Sequence, residues 1–240
     1  MNRTLASTQE MIEMLSERGP LSPAEIALAT GVARSSVYRL AEGLTAVGLA
    51  EFLPDARITL SNRWLHLADA VVPGMTEWRR SDEVLQGLAA STGQTIFLSA
   101  LRGKSAVCIA WAQGRGIDLL VLKPGRTLPL YAGGAGRNIL AHSAHLVDAI
   151  LAETPLPALT SRTLVDERAL REDIASSLAL GYTVSDEDVT VGIGAIGVPV
   201  SSHGKYLGCL SAAGLAQDMR RDRDSLIVAL RAGAADLTNG

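Results

Sequence analysis

Residues 22–44, SPAEIALATGVARSSVYRLAEGL, narrow the choice of fold more than any other stretch. Two helical patterns lie four residues apart. Ser22 and Glu25 have the spacing of a capping box, and Pro23 falls at the first helical position, where its missing N–H costs nothing. Ile26 and Ala29 mark the inward side of this short helix, and Gly31 supplies the tight turn after it. The second pattern runs from about Ala33 to Gly43, with Val37, Leu40 and Leu44 at helical spacing. Upstream, Ser7 and Glu10 form another capping-box pattern, expected to open a helix with Met11, Ile12 and Leu15 on one face and Gly19-Pro20 at its end. Downstream, LAEFL, a Pro54-Asp55-Ala56 turn and RITL read as a short hairpin. Three helices and a hairpin within the first 61 residues make a winged helix-turn-helix pattern.

The second helix of the pair shows what such a unit is for. Its aliphatic residues take the buried face and leave Arg34, Ser35, Tyr38 and Arg39 on the other. Ser36, near the helix start, is placed to cap the helix or to touch phosphate, and Arg57 on the hairpin to meet a phosphate or the minor groove. A helix fits the major groove of B-DNA, where short hydroxyls let the backbone approach and guanidinium forks reach phosphate or guanine. Over residues 1–72 there are six Arg and no Lys against eight acids, and the acids gather on the first helix, away from this edge. Phosphate neutralisation drives affinity, so a reader of so little net charge needs to bind as a dimer or higher oligomer. Its half-sites then lie about 34 Å apart, or a multiple of that. On the residues alone, a second reading stays open, in which the N-terminal domain of a sensory module docks a protein rather than DNA.

Residues 62–80 read as a linker helix interrupted near Pro73-Gly74. Residues 81–240 then mix helices with antiparallel hairpins. SDEVLQGLAAST is helical, TIFLSAL and AVCIAWA pair across Arg102-Gly103-Lys104, and IDLLVL is a further strand. KPGRTLPLYAGGAG is expected to be a Gly-rich loop leading into a helix at Arg137–Ala141. Leu146–Leu151 and Glu167–Leu180 are helical, VGIGAIGVPV pairs with KYLGCLSAA, and Asp218 to Leu237 forms a terminal helix. The fold class is α+β: a winged helix-turn-helix domain (1–61), a linker helix (62–80) and a single-sheet domain (81–240).

Composition removes other classes. With 48% hydrophobic and 20% charged residues the chain is globular. The net charge of −3 argues against coating nucleic acid by bulk charge, though a local basic patch is compatible with it. Cys108 and Cys209 lie far apart in apolar runs, which gives no disulfide framework and makes a reducing, cytoplasmic setting the expectation. The first residues are too polar for a signal peptide, and no apolar run reaches membrane-spanning length. No cofactor or metal site is expected. His142 and His145 lack a third ligand and read as two solvated histidines. The run Ser185–Asp188 reads as a solvated loop, and no GxSxG elbow occurs. An enzyme is therefore not expected.

Three blocks in order resemble the IclR-type transcriptional regulators. These are PLSPAEIALATGVARSSVYRLAEGLTAVGLAEF, then LPLYAGGAGRNILA, then LALGYTVSDEDVTVGIGAIGVPV followed by GKYLGCLSAAG. The resemblance implies a GAF-like C-terminal domain that binds a small effector, a dimer or a dimer of dimers, and an operator in double-stranded DNA. Carried over by position, its ligand contacts fall on Gly134, Ala135, Ser185, Ile193, Ala195, Ser211 and Ala213, with Leu119, Val121 and Leu128 as walls. Free N–H groups where Gly133-Gly134-Ala135-Gly136 opens a helix suit a carboxylate or phenolate, and Arg126 or Arg137 is placed to add charge. Ser185, Ala195 and Ala213 stand where relatives carry more polar residues, so the pocket is expected to suit an aromatic or short organic acid. The resulting expectation is a regulator whose effector alters operator binding.

Overall fold

The computed structural model describes residues 3–71, 78, 81–115, 122–153 and 155–238. The chain divides into two compact units, Met1–Thr76 and Glu77–Gly240.

The first unit contains α1 (Arg3–Arg18), α2 (Pro23–Thr30), α3 (Arg34–Ala46), β1 (Ala50–Phe52), β2 (Ile58–Leu60) and α4 (Arg63–Val71). Its helical stripes and the hairpin close on one core that includes Met11, Leu15, Ile26, Val37, Ala41, Leu44 and Ile58. The box at α2 forms as its sequence dictates. Ser22 Oγ accepts from the Glu25 N–H at 3.2 Å, and the Glu25 carboxylate accepts from the Ser22 N–H at 2.7 Å. Those bonds from Ser22 hold the Glu25 carboxyl below the usual range. Leu21 and Ile58 exchange backbone hydrogen bonds of 3.0 and 2.8 Å, tying the α1–α2 connection to the hairpin. The pattern at Ser7 misleads: α1 already begins at Arg3, and Thr8 Oγ1 bonds to the Thr4 carbonyl inside it. The same spacing occurs within a helix when upstream residues continue the turn. Helix α3 also runs past Gly43, to Ala46.

The second unit contains α5 (Ser81–Thr92), β3 (Thr95–Arg102), β4 (Ser105–Ala112), β5 (Thr127–Pro129), α6 (Gly133–Ala141), α7 (Ala144–Leu151) and α8 (Glu167–Leu180). It continues with β6 (Thr183–Asp186), β7 (Ile193–Ser202), β8 (Lys205–Leu215), α9 (Ala216–Arg221) and α10 (Arg223–Asp236). The strands form one antiparallel sheet in the order β5-β4-β3-β8-β7-β6. Helices cover both faces, which is why β3 is buried along six successive residues. On one face α10 and α5 meet: a Cβ added at Gly233 would come 2.6 Å from Leu88 and 3.3 Å from Leu210. On the other, α6 lies against β5 and β7. A Cβ at Gly136 would come 2.4 Å from the Pro129 carbonyl oxygen, and one at Gly197 2.7 Å from that of Gly134.

Two boundaries differ from expectation. The Gly-rich segment is itself the first turn of α6, which begins at Gly133 rather than at Arg137. The terminal helix breaks at Asp222 into α9 and α10. The expected strand IDLLVL and the interruption at Pro73-Gly74 lie outside the described residues, apart from Leu122. No helix among the described residues is long and apolar enough to cross a membrane.

Candidate functional site

Helix α3 turns Val37, Ala41 and Leu44 inward and leaves Arg34, Ser35 and Arg39 exposed. Its N-cap is Ala33, which has no capping oxygen. Ser36 is therefore not a cap; it is the third residue of the helix and half-buried. Tyr38 is not free either. Its ring stacks on Phe52 of β1 at 6.3 Å and 15°, and the Arg34 guanidinium lies 5.9 Å from the Tyr38 centroid. Arg57 Nε donates to Asp55 Oδ2 at 2.7 Å across the hairpin turn. Both side chains are about half exposed, at 46% and 53%, so this pair yields readily to a phosphate. Arg39 makes no ion pair among the described residues.

The second site rests on strand register. Ser185 pairs with Ala195, Ala195 with Ala213 and Ala213 with Thr95; the next rung on that face carries Gly197, Ser211 and Phe97. Above these rungs lies a cavity of about 70 Å³, closed by Gly133, Gly134 and Ala135 of α6, by Leu122 and Leu128, and by Val189, Thr190 and Ile193. A water needs about 10–15 Å³ of such space, so the cavity holds several waters or one small organic molecule. Gly134, Ala135, Ser185, Ile193, Ala195, Ser211, Ala213 and Leu128 all line it. Leu119 and Val121 lie outside the described residues. Gly133, expected at the ligand's helix start, lines it too, and Phe97, Leu122, Val189, Thr190 and Gly194 line it without having been anticipated. Phe97 announces itself by alternation within β3, but only the register with Ser211 brings it to the cavity.

The polar groups around this cavity are few and mostly committed. Arg137 does not line it. Buried at 3% exposure, Arg137 bonds to Asp188 Oδ2 at 3.1 Å, to Asp173 and to the Val184 carbonyl. Arg126 is not among the lining residues either. Asp188, 2% exposed, accepts from the Gly133 N–H at 3.0 Å and from Ser185 Oγ, so it caps α6 from 55 residues away. The run Ser185–Asp188 is therefore not a solvated loop: its two ends are buried and bonded to each other. Between them, Asp186 pairs with Arg162 at 2.9 Å and with Arg220. The Glu187 carboxyl is held low, chiefly by the Gly192 N–H at 2.9 Å. Gly133 stands at φ 76°, a conformation that favours glycine, and starts the helix against Val189 and Leu128. The N–H groups of Gly134 and Ala135 have no acceptor within α6, since they belong to its first turn, and both residues border the cavity. Ser211 Oγ, also at the cavity, has no hydrogen-bond partner among the described residues.

The Cys108 thiol is pushed up to about 12 by burial, which suppresses the thiolate. His142 is not solvated as expected. It stacks on Tyr206 at 4.5 Å and places Nδ1 2.9 Å from the Asn138 carbonyl oxygen. No group of metal-ligating side chains gathers among the described residues.

The family profile described as the IclR helix-turn-helix domain matches residues 8–54, and that described as bacterial transcriptional regulator IclR C-terminal matches residues 72–239. The chain is 25% identical over 224 residues to the HTH-type transcriptional regulator KipR of Bacillus subtilis (strain 168), covering 92% of this chain and 90% of that one. It is 30% identical over 205 residues to the HTH-type transcriptional regulator BhcR of Paracoccus denitrificans, covering 82% and 72%. Among solved structures, an IclR homologue from Microbacterium hydrocarbonoxydans complexed with 4-hydroxybenzoate superposes with a TM-score of 0.80 at 21% identity, covering 98% and 97%.

Proposed function

We propose, for a chain that belongs to the IclR family of DNA-binding transcriptional regulators, that a small organic monoanion in the cavity of the second unit sets its affinity for operator DNA. The observation that carries this reading is the chemistry of the cavity wall. Apolar side chains surround the first-turn N–H groups of Gly134 and Ala135, which have no acceptor within α6, and the Ser211 hydroxyl, which has no partner among the described residues. Such a wall holds one carboxylate or phenolate at the helix start and one further polar group at the serine. It offers no cationic side chain for a second carboxylate among the described residues. Arg34, Ser35, Ser36, Arg39 and Arg57 meet the DNA in this reading, with Tyr38 packed beneath Arg34. The protein works in the cytoplasm as a homodimer or tetramer on paired half-sites. A ligand acts by binding one arrangement of the assembly more tightly than another.

The test is a melting series with 4-hydroxybenzoate, the ligand of the structural relative, beside succinate. A binding monoanion stabilises the fold by mass action, by about 2.7 kcal/mol at a hundred times its dissociation constant. The expected result is a higher melting temperature with 4-hydroxybenzoate or another aromatic acid and none with succinate. Ser211→Ala, which breaks no hydrogen bond among the described residues, should weaken that acid about 2- to 12-fold, the worth of one hydrogen bond. If no organic acid moves the melting curve, or Ser211→Ala leaves a proven ligand unaffected, this reading of the cavity fails.

A further inference from the structure

The C-terminal end of α3 is built in an unusual way, and the first turn of α4 accounts for it. Helix α3 closes with both bonds of a Schellman motif: the Leu49 N–H reaches the Leu44 carbonyl at 2.8 Å and the Gly48 N–H reaches that of Thr45 at 2.9 Å. Gly48 takes the left-handed conformation the motif needs, at φ 73°. The motif leaves the next carbonyls, of Val47, Gly48 and Leu49, pointing out of the helix end. Three side chains from one short stretch take all three. Arg63 Nη1 donates to Val47 O at 2.9 Å, Ser61 Oγ donates to Gly48 O, and Trp64 Nε1 donates to Leu49 O at 2.7 Å. The Ser61 N–H adds a second bond to Leu49 O at 3.2 Å. The Arg63 charge also faces the negative end of the α3 dipole. Arg63 lies so close over Gly48 that an added Cβ would come 3.2 Å from Nη1.

We infer that Ser61, Arg63 and Trp64 are positioning residues for DNA reading: they join α3 and α4 into one rigid lever, so the direction of α4 dictates where Arg34 and Ser35 point. None of the three need touch a base. They act through the far end of the recognition helix. The inference rests on α3 as the reading helix, and it adds that the reading geometry is set from its C-terminal end.

The test uses the full chain carrying Trp64→Phe with Arg63→Met, which keeps the ring and the aliphatic stem but removes two of the donors. Spin labels on Ala33→Cys and His66→Cys, both exposed positions, report the angle between the helices without DNA. The expected result is a narrow distance distribution without the two substitutions and a broad one with them. A distribution that stays narrow overturns the lever. Duplexes selected in vitro by the natural protein supply the second readout, as single half-sites and as pairs with the spacer changed by two base pairs. The natural protein should lose about tenfold or more on the changed spacer, and the variant about threefold or less, with single half-site affinity held within about twofold. An unchanged spacer penalty, or a single half-site affinity that falls as far as the paired one, overturns the inference in favour of a merely structural role. If the natural protein ignores spacing altogether, the paired half-site reading fails instead, and the spin labels alone decide the lever.

Discussion

Arg34 and Arg39 of the first unit and Arg137 of the second live by opposite rules. In the first unit, Arg34 and Arg39 stand exposed on α3, and the core beneath them is wholly apolar. In the second, Arg137 is buried and holds Asp188, Asp173 and a carbonyl in place. A surface guanidinium is free for a polyanion that arrives from outside. A buried one must be paired at once, because an uncompensated charge in the interior is far too costly. In the proposed reading, the cavity beside Arg137 therefore offers an incoming anion backbone N–H groups and a hydroxyl, with no cationic side chain among the described residues that line it.

One substitution made at both places breaks or sharpens this contrast. Arg137→Met should cost about 3–5 kcal/mol of stability in chemical denaturation, because it strands the buried Asp188 carboxylate and takes the partner from the half-buried Asp173. A cost below 1 kcal/mol would show that the buried network is dispensable. Arg34→Met should leave denaturation unchanged and cost about 1–3 kcal/mol in operator binding, roughly 5- to 150-fold. Next in size, Ser22→Ala removes the cap of α2 and should destabilise the first unit by about 1 kcal/mol. The Glu25 carboxyl is held low by bonds to Ser22, so its contribution is present at neutral pH and fades as acid protonates it. A pH titration of stability should show that loss in the natural protein and not in a Glu25→Gln variant, which has no carboxyl for the Ser22 N–H to hold. Smallest of all, Arg57→Ala should weaken binding about equally on every duplex and lower the slope of log K against log salt by about one. A sequence-dependent loss would place Arg57 on bases instead.

The first unit was nearly readable in the sequence because its decisive signals are local. Ser22, Glu25 and Gly31 specify the start and end of α2 within ten residues, and the structure follows them. The misreadings there are local as well: a box pattern at Ser7 that sits inside a longer helix, and a capping role for Ser36, which is the third residue of α3. In the second unit, the cavity residues were placed by resemblance, and eight of them do surround one space. Their environment was hidden, since it depends on partners 36 and 51 residues along the chain for Arg137, and on strand register for Phe97. No window of sequence contains Asp173, Asp188 and Arg137 together. The solvated reading of Ser185–Asp188 failed for that reason, and so did the assignment of Arg137 to a ligand.

The three carbonyls past α3 also bear on how the chain can be cut. A fragment ending at residue 61 keeps every helix and strand of the winged pattern yet deletes Arg63 and Trp64, leaving Val47 O and one bond to Leu49 O for water to satisfy. The natural stopping place for an excised reader is beyond the first turns of α4. What looks in the sequence like the start of a tether is, in hydrogen-bonding terms, the last piece of the head.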